Sequence, residues 1–197
     1  MALTRLGLNQ SINLATNVTG TLATGNGGTG LTSYAPGKIL QVLNVENDSE
    51  TTTTNGSLQD TALALNITPS STSSKIFIQV QPQLLGQSPS NAEAGVGFGI
   101  SREIDGANNT TVFETKYSYD GLFVSGGGNS SDDIRAYPYV AHLDSPNTTG
   151  VCRYKFRIKA YSGTAKFNES SGRSRMYLFE VGAWRKLLVL QTQLYHW

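Results

Sequence analysis

Val151-Cys-Arg-Tyr-Lys-Phe-Arg-Ile-Lys-Ala160 alternates without a break. Cys152, Tyr154, Phe156, Ile158 and Ala160 fall on one side; Val151, Arg153, Lys155, Arg157 and Lys159 fall on the other. A period of two residues is that of a strand, whose side chains leave alternate faces; a helix would scatter the same residues around its circumference. One face apolar and one cationic describes a strand with a core beneath it and water above. Four cations in a row predict a solvated outer face that also deters edge pairing.

The same period recurs on both sides of this segment. Thr61, Leu63, Leu65 and Ile67 share a face, and so do Ile76, Ile78 and Val80. Val96, Phe98 and Ile100 alternate with Gly95, Gly97 and Gly99, and Phe113, Thr115 and Tyr117 follow. Tyr137 with Tyr139, and Tyr177 with Phe179 and Val181, complete the series. Ser, Gly, Asn and Pro separate the runs, as in 68–74 and 145–150. About eight short strands with no helical period predict an all-β fold, an antiparallel β-sandwich or jelly roll over residues 34–183.

Composition agrees and narrows the function. The 21 glycines, with abundant Ser, Thr and Asn, favour turns and strands. Charged residues are 15% of the 197 and the net charge is +1, so there is no polybasic field for nucleic acid. No run approaches the ~20 apolar residues that span a bilayer, and the opening residues lack the apolar core of an export signal. Cys152 is the one cysteine, which excludes a disulfide framework or a Cys-based metal site.

The ends do not share the strand rhythm. Residues 1–33 carry isolated apolar residues such as Leu14, Val18, Leu22 and Leu31 in polar, Gly-punctuated sequence. Such a stretch cannot enclose a core, and the expectation is an extended arm that becomes ordered in an assembly. Residues 184–197, Trp-Arg-Lys-Leu-Leu-Val-Leu-Gln-Thr-Gln-Leu-Tyr-His-Trp, suit a short helix as well as a strand. Their apolar surface is costly to leave in water, so this tail is expected to dock, on its own domain or on a neighbour.

The arm also carries a resemblance. Ile12-Asn-Leu-Ala-Thr-Asn-Val-Thr-Gly-Thr-Leu-Ala-Thr-Gly-Asn-Gly-Gly-Thr-Gly30 resembles a segment of tailed-bacteriophage fibre proteins, marine and cyanophage ones especially. There it runs as Val-Thr-Gly-Thr-Leu, a spacer, then Gly-Gly-Thr-Gly. Pro36-Gly-Lys-Ile-Leu-Gln-Val, Ile67-Thr-Pro-Ser-Ser-Thr-Ser-Ser-Lys-Ile, Leu143-Asp-Ser-Pro-Asn-Thr-Thr and Tyr177-Leu-Phe-Glu-Val are similar to the small β-domain that follows. The resemblance implies a homotrimeric, non-enzymatic virion protein, made in the host cytoplasm and carried on the particle surface. Its assembly arm would use Asn17, Thr19, Gly20, Leu22, Gly27, Gly28 and Gly30 to hold other virion proteins. Two departures, the single arm motif and the tail 184–197, also suit a capsid decoration protein that staples shell subunits.

Several groups could carry chemistry. Gly25-Asn-Gly-Gly-Thr-Gly30 matches G-x-G-x-x-G, but no strand precedes it and no helix follows, so no cofactor is expected. His142, Asp144 and Ser145 are residue types of a hydrolase triad, yet Ser-Pro-Asn-Thr-Thr-Gly follows at once and reads as a turn. Asp132 with Asp133, and Asn47-Asp-Ser-Glu50, offer oxygen atoms but not the spacing of a Ca²⁺ loop. Gly95, Gly97 and Gly99 leave a strand face bare, for a tight spot inside the sandwich or for packing in an oligomer, where Trp184 and Trp197 are further candidates. Tyr117, Tyr119 and Phe123, beside a Ser/Gly/Asn/Asp loop, are candidates for contact with a host cell-surface glycan.

Overall fold

A computed structural model describes residues 39–88, 92–125 and 133–182. The strands are β1 (Ile39–Asn47), β2 (Thr51–Thr53), β3 (Gln59–Ile67), β4 (Lys75–Gln81), β5 (Leu84–Gln87), β6 (Ala94–Ile104), β7 (Ala107–Glu114), β8 (Leu122–Val124), β9 (Asp133–Ala136), β10 (Val140–Asp144), β11 (Cys152–Tyr161), β12 (Thr164–Phe167) and β13 (Ser174–Val181). Every pairing among them is antiparallel. The all-β sandwich is therefore as expected, with more strands than the roughly eight anticipated.

The larger number has a simple cause. One four-stranded sheet runs β1-β13-β4-β10 and another runs β2-β12-β5-β9, so each strand of the first continues into its counterpart in the second. Four long strands are each interrupted once, along one line. Pro82 interrupts β4/β5 opposite Pro138 between β9 and β10, and neither can donate a ladder hydrogen bond. This is why Tyr137 and Tyr139, anticipated as a strand, lie instead in the break and are exposed. Asn168 takes the left-handed conformation (φ 56°), which Asn tolerates better than most residues. Its amide donates to Asn47 O (2.8 Å), Ser174 Oγ donates to its Oδ1 (2.5 Å), and Gln83 N–H donates to Ser174 Oγ (2.9 Å). These buried polar groups satisfy one another at the bend, as burial requires.

The third sheet runs β3-β11-β6-β7, with β8 also on β6. β11 sits at its centre, not at an edge, which corrects the edge-protection reading of its cations. Their outward face is a charge lattice: Lys155 bridges Glu103 (2.5 Å) and Asp60 (3.2 Å), Arg157 pairs with Asp60 (2.7 Å) and Lys159 with Glu114 (2.7 Å). Tyr154, Phe156 and Ile158 of β11 point the other way, into the core with Val96, Ile100 and Leu63. Facing them are Ile76, Ile78, Met176 and Leu178 of the first sheet and Phe167 of the second. On β13 the inward side is thus Met176 and Leu178, and Tyr177, Phe179 and Val181 lie on the outer, half-buried side.

Glu180 shares the inward side of β13 and is almost wholly buried. Burial alone would raise its carboxyl pKa, but hydrogen bonds from Ser70 Oγ and N–H (both 2.6 Å) and Gln41 Nε2 (2.8 Å) outweigh it and hold the value below the ordinary 4.5. A carboxylate with a depressed folded pKa contributes stability that is complete above the unfolded value and lost as pH falls through the folded one. We therefore expect the denaturant midpoint to fall with acidification below about pH 4.5. Glu180→Gln should flatten that acid limb, and equal slopes for the two proteins would contradict the assignment.

Candidate functional site

The candidate site grows from the bare strand. Gly95, Gly97 and Gly99 of β6 face outward beside Tyr161, Lys159 and Arg157 of β11. After β7 the chain does not continue as the anticipated strand through Thr115 and Tyr117. Thr115 N–H donates to Phe98 O (2.9 Å), Phe98 N–H donates to Thr115 Oγ1 (3.1 Å), and Gly121 N–H returns to Val96 O (3.0 Å). Between those anchors, 116–120 lies against the glycine face. A Cβ on Gly95 would stand 2.8 Å from Tyr119 Cβ, and one on Gly97 2.9 Å from Ser118 Cα. One on Gly99 would meet Leu58 Cδ1 at 2.8 Å. The space left by the missing side chains is filled by the chain itself.

This seat brings the three predicted aromatic residues together. Tyr117 and Tyr119 stack (centroids 5.3 Å, planes 7° apart), and Lys116 Nζ lies 5.0 Å from the Tyr117 ring centre. Asp120 Oδ2 accepts from Tyr117 N–H (2.7 Å) and holds the turn. Tyr119 meets Phe123 edge-on at 5.8 Å (61°) and Tyr161 at 4.9 Å (73°). Tyr161, the last residue of β11, was not anticipated: its place in an alternating run marked it only as the next outward residue. Its hydroxyl donates to Glu93 Oε2 (3.3 Å), and the Glu93 charge raises its pKa.

Tyr119, Phe123, Tyr161 and Glu93 line an open cleft of about 310 Å³, and all three rings are roughly two-fifths exposed. Exposed rings set edge-on or tilted to one another, with one carboxylate beside them, can stack on the apolar face of a ligand while accepting its polar hydrogens.

The other candidates resolve differently. Asp144 neither caps the turn nor faces a histidine: it pairs with Arg102 and accepts from Tyr154 Oη (2.7 Å). His142 packs its ring on Phe113 (5.8 Å), and Ser145 Oγ accepts from Lys75 Nζ (2.6 Å), so no nucleophile–base pair forms here. Asn47 belongs to the bend, with Oδ1 accepting from Ser49 N–H (3.1 Å). Among the described residues no group of three or more His, Cys, Asp or Glu converges to hold a metal ion. Asn17, Thr19, Gly20, Leu22, Gly27, Gly28 and Gly30, together with Asp132, Trp184 and Trp197, lie outside the described residues.

No protein-family model matches the sequence, and no curated protein matches it. Among solved structures, similarity is found to infectious bursal disease virus. The Gt-strain structure matches with 14% identity and a TM-score of 0.30, over 73% of this chain and 38% of that one. The VP2 subviral particle matches with 12% identity and a TM-score of 0.31, over 72% and 39%. The chain spans about two-fifths of the length of each.

Proposed function

We propose that this chain is a structural protein of a virion, a short tail-fibre-like appendage held by its N-terminal arm, whose β-sandwich binds a cell-surface glycan. The observation that carries the reading is the convergence of exposed Tyr119, Phe123 and Tyr161 on one cleft beside Glu93. The C–H face of a pyranose stacks on such rings, and Glu93 accepts from its hydroxyls. A carboxylate at the cleft disfavours acidic sugars and favours neutral or amino sugars. A trimer, the assembly the arm's resemblance implies, multiplies a weak single contact through effective concentration.

Binding of the full chain to an array of neutral, amino and acidic glycans tests this reading. Tyr161→Ala and Phe123→Ala should each weaken binding roughly fivefold or more, the loss usual for a truncated aromatic contact. Undiminished binding by both variants, or no binding by the unaltered protein, would overturn it. The single arm motif favours a second reading, a capsid decoration protein. Antibody labelling of intact particles separates the two, because signal over the head excludes a tail appendage.

A further inference from the structure

The outer face of the sheet β1-β13-β4-β10 carries an apolar row that is about half exposed at both ends. The register sets Val42 beside Phe179, Phe179 beside Phe77, and Phe77 beside Leu143, one residue from each strand. Phe77 and Phe179 are in ring contact (6.1 Å), Tyr177 extends the row (6.5 Å from Phe179), and Val42 and Leu143 are about half exposed. The row crosses three strand spacings, roughly 14 Å. Its charged margins are already engaged: Arg175 with Glu46 (2.6 Å) and Lys75 with Ser145 (2.6 Å). A contiguous apolar strip left half exposed at both ends marks a surface for interaction.

We infer that residues 184–197 of the same chain cover this row. β13 ends at Val181, which lies on the same outer side as Phe179, so the chain leaves the sheet at the margin of the strip. Three residues later begin Trp184-Arg-Lys-Leu-Leu-Val-Leu-Gln-Thr-Gln-Leu-Tyr-His-Trp197, the most apolar stretch outside the described residues. Fourteen residues reach farther than the ~14 Å width of the row in any conformation that a chain adopts. Covalent attachment holds the segment at a high effective concentration over the strip, which favours it over a second copy. The inference stands apart from the glycan reading, which concerns the opposite layer.

Trp184 and Trp197 are the only tryptophans in the protein, so its tryptophan fluorescence reports on this segment alone. The full chain should emit in the blue-shifted range of buried indoles, resist acrylamide quenching, and keep both properties on dilution. Leu143→Lys and Val42→Lys, at half-exposed positions that leave the core intact, should shift emission to the red and raise the quenching constant several-fold with an unchanged far-UV spectrum. Ending the chain after Ala183 should increase binding of an apolar dye, and Leu143→Lys in that shortened chain should reduce it again. Water-like emission from the unaltered protein would overturn the inference. So would unchanged emission in the lysine variants, or a blue shift that disappears on dilution, which would assign the strip to a second copy.

Discussion

Asp144→Ala is expected to lower the unfolding free energy by about 3–5 kcal/mol, the range for removing one partner of a buried ion pair. Asp144, Arg102 and Tyr154 come from β10, β6 and β11, so the cluster ties one layer of the sandwich to the other. Burial, and then the hydrogen bond to Asp144, raise the Tyr154 pKa, so the phenol stays protonated as donor. Removing the carboxylate strands the Arg102 cation between the sheets and leaves the Tyr154 hydroxyl without its acceptor. The loss comes chiefly from that unpaired charge, so Arg102→Met combined with Asp144→Leu should recover much of it. Urea titration of the three proteins checks both statements. A single variant within about 1 kcal/mol of the parent would mean that the pair is effectively solvated.

Phe156→Ala is expected to cost a similar amount, about 3–5 kcal/mol, for a different reason. The ring is fully buried, 5.7 Å from Phe98 within its own sheet and 5.8 Å from Phe167 across the sandwich. Truncation removes apolar burial and leaves a void that two rigid rings in neighbouring strands cannot fill. At roughly 2–4 °C per kcal/mol for a protein of this size, the melting temperature should fall by about 10 °C. Phe156→Leu, which keeps most of the volume, should cost less than half as much. Equal losses for the two variants would show that the site does not depend on volume.

The contrast between these residues shows what could be read in advance. Phe156 was legible, because alternation in 151–160 assigns it to the core face whatever lies opposite. Asp144 was not. On a strand that ends in a turn, its side chain suited a local cap, and only the packing of β10 over β6 and β11 supplies Arg102 and Tyr154 as partners. Tyr117, Tyr119 and Phe123 were legible as a group because they are close in sequence. Tyr161 and Glu93 reach the same cleft from distant positions through the β11–β6 register and the lie of 116–120 over the glycines.

Local chemistry alone settles which segments are strands and which faces are apolar, because the two-residue period and the turn residues act within a few positions. It identifies Gly95, Gly97 and Gly99 as a bare face but leaves open whether the chain or another copy fills it. Strand order, the shared line of interruptions at Pro82, Pro138 and Asn168, and the central place of β11 come from pairings between residues far apart in the chain. No short stretch contains its own partner, so the cations of β11 read as an edge defence until Asp60, Glu103 and Glu114 arrive from three other strands. The fold class is thus written in 151–160, and the cleft and the charge lattice exist only once those strands meet.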